Sequence, residues 1–122
     1  MQTTTPTDAA SNPTQLPAWD ETAALAAVGG DRDLALELIQ TLIAGLPAEL
    51  AGLKDCSQDK DTAELREAAH RMRGATRYCG VLALDAALGN LERAAKASDV
   101  GSIAVHLAQV EAEVARLTAA FP

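Results

Sequence analysis

Between Glu64 and Gly80 the chain reads ELREAAHRMRGATRYCG, and its polar residues have the types and spacing of a site that handles an anionic group. On a helical wheel at roughly 100° per residue, Leu65, Ala68, Ala69, Met72, Ala75, Thr76 and Cys79 fall on one side and form the stripe expected to face a core. Arg66, His70, Arg73, Gly74 and Arg77 fall on the other side, within roughly 60° of His70. His70 is therefore expected to face solvent, with arginines one turn before it and one and two turns after it. An imidazole is a competent nucleophile near neutral pH because much of it is uncharged there. Guanidinium groups suit a doubly negative phosphoryl group, which they can hold through paired N–H donors.

Gly74 is the unusual member of this face. A glycine within an exposed helical surface costs about 1 kcal/mol against alanine and packs nothing. It stands one turn beyond His70, where a side chain is expected to crowd the imidazole, so its absence leaves room for a group on, or approaching, a ring nitrogen. Singly, each residue has an ordinary explanation: surface histidines, solvated arginine faces and drifting glycines are common. Their convergence on one face favours a phosphoryl-accepting histidine. His106 lies beside the apolar stripe of the last helical segment with no such surroundings, and no role is assigned to it. Cys56 reads as a loop thiol and Cys79 as a small core residue. With neither CxxC nor a histidine-rich tract, two cysteines imply no disulfide framework or zinc site. Metal binding at His70 is disfavoured because arginines surround it and no carboxylate or cysteine shares its helical face.

The elements that must position this face follow from composition and periodicity. The 122 residues suffice for one domain and its core. Aromatic residues are only 2% of the chain and about a fifth of it is alanine, so a core must be built from aliphatic side chains on closely spaced helices. That excludes a sandwich or barrel rich in Val, Thr, Tyr and Phe. The net charge of −7 argues against nucleic acid or an anionic membrane as partner. No uninterrupted apolar run approaches the ~18 residues of a membrane span, and no secretory signal pattern opens the chain, so a reduced, cytoplasmic protein is expected.

Residues 1–17, rich in Thr, Pro, Ser, Asn and Gln, are expected to be a flexible tail or linker. Residues 18–122 are expected to form the domain. A short helix begins after Asp20, carries Leu25 and Val28 inward and stops at Gly29-Gly30. Asp31 caps a long second helix, whose stripe runs from Leu34 to Leu53 and in which Pro47 predicts a bend or frayed turn. Asp55 to Asp59 reads as a connector. The third helix opens at Asp61, with Glu64 close to a capping box, and runs to Tyr78 or Cys79 before Gly80. The fourth carries Val81, Leu84, Leu88, Leu91 and Ala95, and the fifth starts at Ser98 or Asp99 and runs toward Phe121. Four long amphipathic helices on short turns bury their stripes only by packing together. An all-α, antiparallel four-helix bundle with a short additional N-terminal helix is predicted.

The segment AAHRMRGAT resembles the histidine-containing phosphotransfer (HPt) family pattern at His70, Met72, Arg73, Gly74, Ala75 and Thr76. Gly80, Leu91-Glu92 and Gly29-Gly30-Asp31 match further family features, so the resemblance runs from about Trp19 to the end. GATRYCGV, Gly74 to Val81, is most similar to the C-terminal phosphotransfer domain of BarA/GacS-type hybrid sensor kinases. The resemblance implies a phosphorelay intermediate. His70 would accept a phosphoryl group from a receiver-domain aspartyl phosphate and pass it to the receiver aspartate of a response regulator. Arg73 would sit beside the phosphoryl group, and Gly74 would let the receiver close over the ring. Lysine is commoner at the Arg73 position, and Arg77 occupies a place that is often small. Arg66, Glu67 and Arg77 are the expected docking residues. No cofactor is expected on this chain, with Mg²⁺ supplied on the partner receiver. Partners would be receiver domains of a hybrid sensor kinase and a response regulator, with no nucleic acid, no membrane insertion and a monomeric state. A second reading is a non-catalytic helical module that binds a receiver through the His70 face. A free-standing kinase is excluded by the absence of a Gly-rich nucleotide loop.

Overall fold

The computed structural model describes residues 12–121. Among them are five α-helices and no strands: α1 (Glu21–Ala27), α2 (Arg32–Gln58), α3 (Thr62–Thr76), α4 (Leu82–Lys96) and α5 (Val100–Ala120). Four of the five open in the same way. Asp20, Asp31, Asp61 and Asp99 each accept a hydrogen bond from the backbone N–H three residues on, at 3.0–3.2 Å, satisfying a donor that the first helical turn leaves free. Only the Asp61 half of the expected capping box forms, because the Glu64 carboxylate turns to Arg71 instead. Only α4 begins without a side-chain cap.

Helix ends account for most of the differences from the sequence reading. α2 runs on to Gln58, so the connector expected at Asp55 to Asp59 shrinks to Asp59–Asp61 and Cys56 is a helical residue. The chain turns there because Lys60 adopts left-handed backbone (φ 59°) and the Asp61 N–H bonds back to the Cys56 carbonyl. Ser98 (φ 55°) and the Asp99 N–H to Ala94 carbonyl bond repeat the device after α4. Neither turn contains glycine; the first does not announce itself in the sequence, whereas the second is marked by Ser98-Asp99 ahead of the last helix. α3 stops at Thr76, short of the expected Tyr78. Pro47 lies inside α2 without ending it, on the exposed side, where water can reach the carbonyl that proline leaves unbonded. α2 is also long and apolar enough over an 18-residue window to cross a membrane by composition alone, a property hidden when only uninterrupted apolar runs are counted.

The short connectors force sequential helices to run antiparallel, and α2 to α5 close a four-helix bundle with α1 at one end. α4 is its most enclosed member, lying between α3 and α5. Leu84, Leu88 and Leu91 of α4 are fully buried, packed with Leu65 and Met72 of α3, Val110 and Leu117 of α5, and Ile39, Leu46 and Leu53 of α2. Buried alanines at 83, 87, 94 and 95 leave little between α4 and its neighbours, which lets the helix axes come close. In α1 the fully buried residue is Ala24, while Leu25 and Val28 are only half-buried.

The chain ahead of α1 secures the turn that follows α3. Part of the stretch read as a tail, residues 1–11, lies outside the described residues. Residues 12–17, from the same stretch, lie against the bundle. Pro13 is buried, Arg116 of α5 donates to the carbonyls of Thr14 and Leu16, and the Pro17 carbonyl accepts from Ala83 N–H. Trp19 Nε1 then donates to the Cys79 carbonyl at 2.9 Å, and its ring meets Phe121 edge-on at 5.1 Å. Asp20 N–H bonds the Gly80 carbonyl at 2.8 Å.

Gly80 is where this clasp is tightest. Its backbone is left-handed (φ 72°), and a Cβ there would fall 2.5 Å from the Asp20 carbonyl oxygen and 2.9 Å from Ala24 N. Gly80→Ala is expected to destabilise the domain by about 2 kcal/mol or more, combining backbone strain with overlap against backbone atoms that cannot yield. Urea denaturation measures this, and an unchanged midpoint would show that the clasp is slack.

Candidate functional site

α3 presents two faces, as the wheel predicts. Leu65, Ala69, Met72 and Thr76 are buried, whereas the His70 side chain is 62% exposed. Two residues of the expected core stripe depart from it: Ala68 is half-buried and Ala75 is exposed, so the stripe is narrower than the wheel suggests.

Glu67 shares the histidine's own face, contrary to the sequence reading, yet the carboxylate that meets the ring arrives from the next helix. His70 Nδ1 lies 3.0 Å from Glu92 Oε2 on α4. An ionised carboxylate only accepts, so Nδ1 carries the hydrogen and donates it. The unprotonated nitrogen of a neutral ring is then Nε2, with its lone pair available for bonding. The contact therefore fixes the tautomer as well as the ring's orientation.

Arg73 departs most from expectation. Its side chain is only 24% exposed and lies over α4. Its Nε donates to Asp85 Oδ1 at 3.3 Å, and its Nη1 reaches Glu92 Oε1 at 3.5 Å. Asp85, Gly89 and Glu92 are spaced i, i+4, i+7 and so form one stripe along α4. Gly89 makes the space between the two carboxylates: a Cβ there would lie 3.3 Å from both Cζ and Nη1 of Arg73. Thr76, buried on α3, donates to Asp85 Oδ1 at 2.8 Å and lies 3.2 Å from the Arg73 carbonyl. Burial works against the Arg73 charge, but the hydrogen bond and charge of Asp85, with those of Glu92, outweigh it and raise its pKa above the ordinary arginine value. A continuous network thus runs Thr76–Asp85–Arg73–Glu92–His70. It contains two carboxylates for one guanidinium, so the charge immediately beneath the histidine is not the positive one that the sequence suggests.

The positive charge lies along the surface instead. Arg66 and Arg77 are exposed, and among the described residues neither has an ion-pair partner. Arg71 pairs with Glu64 at 3.3 Å, and Glu67 is exposed three residues before His70. Gly74 is exposed, and a Cβ built there meets nothing within 4 Å. A methyl group would therefore not crowd the imidazole, contrary to expectation, because the bond to Glu92 draws the ring toward α4. What Gly74 keeps clear is the approach from outside.

His106 is half-buried and shares a shallow polar depression with Arg93, Asp99 and Ser102, so an arginine does stand near it, contributed by α4. Burial pushes the thiol of Cys79 up. Burial, followed by the charges of Glu64, Asp61, Asp55 and Asp59, does the same for Cys56, so neither is primed as a nucleophile. Among the described residues no group of three or more His, Cys, Asp or Glu side chains is placed to hold a metal ion. The role of Glu92 is missed by wheel analysis, which sees one helix at a time. Only its place in the Leu91-Glu92 pair drew notice, and Asp85 and Gly89 gave no signal.

A family model described as the Hpt domain matches residues 34–120. The chain is 34% identical over 105 residues to the sensor histidine kinase GacS of Pseudomonas protegens, covering 86% of this chain and 11% of that protein. It is 36% identical over 73 residues to the sensor protein GacS of Pseudomonas syringae pv. syringae, covering 60% of this chain and 8% of that one. The chain thus spans about a tenth of the length of these relatives. No solved structure matches it.

Because position 74 is helical and open, Gly74→Ala is expected to raise the unfolding free energy by up to ~1 kcal/mol while leaving the His70–Glu92 contact intact. Urea denaturation checks the gain. A loss of stability instead would reveal a packing role that the open space does not support.

Proposed function

The chain belongs to the Hpt domain family, and from that premise we propose that His70 carries a phosphoryl group between the aspartates of two receiver domains. An Hpt domain is a phosphotransfer module of two-component phosphorelays rather than a kinase. On this reading the chain has no ATP-dependent activity of its own. Donor and acceptor would be receivers of a hybrid sensor kinase and of a response regulator, in the cytoplasm, with Mg²⁺ held on the receiver side. The observation that carries the reading is the His70–Glu92 contact, which leaves an exposed imidazole with Nδ1 hydrogen-bonded and Nε2 available.

In the transfer step Nε2 donates its lone pair to phosphorus as the bond from phosphorus to the receiver carboxylate oxygen breaks. The carboxylate departs with that electron pair. No proton has to leave the ring, because the positive charge that develops on it is met by Glu92 through the Nδ1 hydrogen bond. The step runs in reverse toward the second receiver. Such chemistry depends mainly on alignment and charge, and a clear approach is as necessary as the nucleophile. Gly74 would supply that clearance. Arg73 can assist the phosphoryl group only by giving up part of its pairing with Asp85 and Glu92. Arg66 and Arg77, with Glu67 beside them, would meet the acidic rim of the receiver and guide docking.

Incubation with a phosphorylated receiver is expected to label the protein at His70 with an acid-labile, alkali-stable phosphate. His70→Gln should abolish labelling with little effect on melting, since the ring is exposed. Label that persists, or that moves to His106, would overturn the assignment. Arg66→Ala and Arg77→Ala should weaken docking at low salt and matter less as salt rises, since exposed charges are screened over roughly 8 Å at physiological ionic strength. Transfer rates measured against receiver concentration at two salt levels test this. A salt-independent loss would place these arginines in the chemistry rather than at the rim.

A further inference from the structure

We propose that Asp85 is a positioning residue for the histidine: by holding Arg73 in the cradle at Gly89, it reserves one oxygen of Glu92 for His70. The catalytic consequence rests on the phosphoacceptor reading above, while the positioning itself does not. Glu92 has two oxygens and two claimants. Oε2 accepts from His70 Nδ1 at 3.0 Å, and Oε1 faces Arg73 Nη1 at 3.5 Å. A guanidinium has a forked donor array that matches both oxygens of a carboxylate at once, and left to itself it takes that bidentate arrangement.

Three features keep Arg73 from doing so. Asp85 sits seven residues before Glu92 on the same face of α4, about two turns away, and draws Nε toward itself at 3.3 Å. Thr76 holds the Asp85 oxygen in place from α3 at 2.8 Å. Gly89, midway between the carboxylates, lets the guanidinium lie flat against the helix at a distance where a methyl group would press on Cζ and Nη1. The guanidinium is stretched between two carboxylates and spends only one donor on Glu92. The second Glu92 oxygen stays with the imidazole and keeps the hydrogen on Nδ1. Asp85 touches neither the histidine nor any incoming group; it acts through Arg73.

The test is the tautomer of His70, read from ring ¹⁵N shifts and long-range ¹H–¹⁵N correlations in the labelled protein above roughly pH 8, where a histidine ring is ordinarily neutral. The wild type is expected to favour Nδ1–H. Asp85→Asn keeps the Oδ1 acceptor but removes the charge that holds Arg73 against the pull of Glu92, and should lower the ratio of Nδ1–H to Nε2–H about fivefold, within the range that residues sharing one network exchange. Gly89→Ala, which displaces the guanidinium without altering charge, should move the ratio the same way. In an Arg73→Gln background, Asp85→Asn should have no further effect. At saturating receiver the transfer rate of Asp85→Asn should fall in step with the fraction of rings in the Nδ1–H form, while the half-saturating receiver concentration stays put. An unchanged ratio in Asp85→Asn, or an equal fall with and without Arg73, would overturn the proposal. The tautomer needs no receiver, so these results stand apart from a failure of His70 to be phosphorylated, which would strike the function instead.

Discussion

The structure turns on the meeting of two helical stripes. His70 and Arg73 project from α3 onto Asp85, Gly89 and Glu92 of α4, and a 3.0 Å contact between ring and carboxylate survives only in one register. A slip of one helical turn is 5.4 Å and would leave the histidine opposite a different residue. What prevents slippage lies below the site. Leu65 and Met72 interdigitate with the leucines of α4, and the turn joining the two helices is pinned at Cys79 and Gly80 by Trp19 and Asp20. Packing, turn and clasp thus serve one end, which is to hold a carboxylate beneath an exposed imidazole.

That constraint also explains where the charges lie. Four of this acidic chain's seven arginines lie on the helix that bears the histidine or just past its end, and the three on the histidine's face fall into two groups. Arg73 is turned inward and neutralised by carboxylates, so it stiffens the site. Arg66 and Arg77 remain in water, where their fields reach an approaching surface but stabilise the fold little. A positive rim around a ring backed by a carboxylate suits the proposed role, in which the module would attract acidic receivers and bear a transient positive charge on its histidine.

Most of the fold could be read along the chain because its signals are local. Aspartates three residues ahead of the N–H groups they cap, a glycine pair after α1, and leucines at three- and four-residue spacing are all visible without knowing any neighbour. The end of α2 was misjudged because Lys60 adopts left-handed backbone that only glycine advertises. At the site, the outward placement of His70 was legible, since the direction of a backbone position on a helix follows from periodicity. The fate of Arg73 was not. A wheel gives the direction of Cα–Cβ, whereas a long side chain bends toward whatever partners the adjacent helix offers, and those partners lie 12 and 19 residues away. The space at Gly89 was equally silent, because its purpose exists only when α3 is in place.

The central claim is that Glu92 holds the hydrogen on Nδ1 and so makes Nε2 the nucleophile. Phosphorylating the ¹⁵N-labelled protein and locating the N–P bond by ³¹P–¹⁵N coupling tests it most directly. The account predicts phosphorus bonded to Nε2 of His70, with Nδ1 still protonated. Phosphorus on Nδ1, or on any other residue, would contradict it.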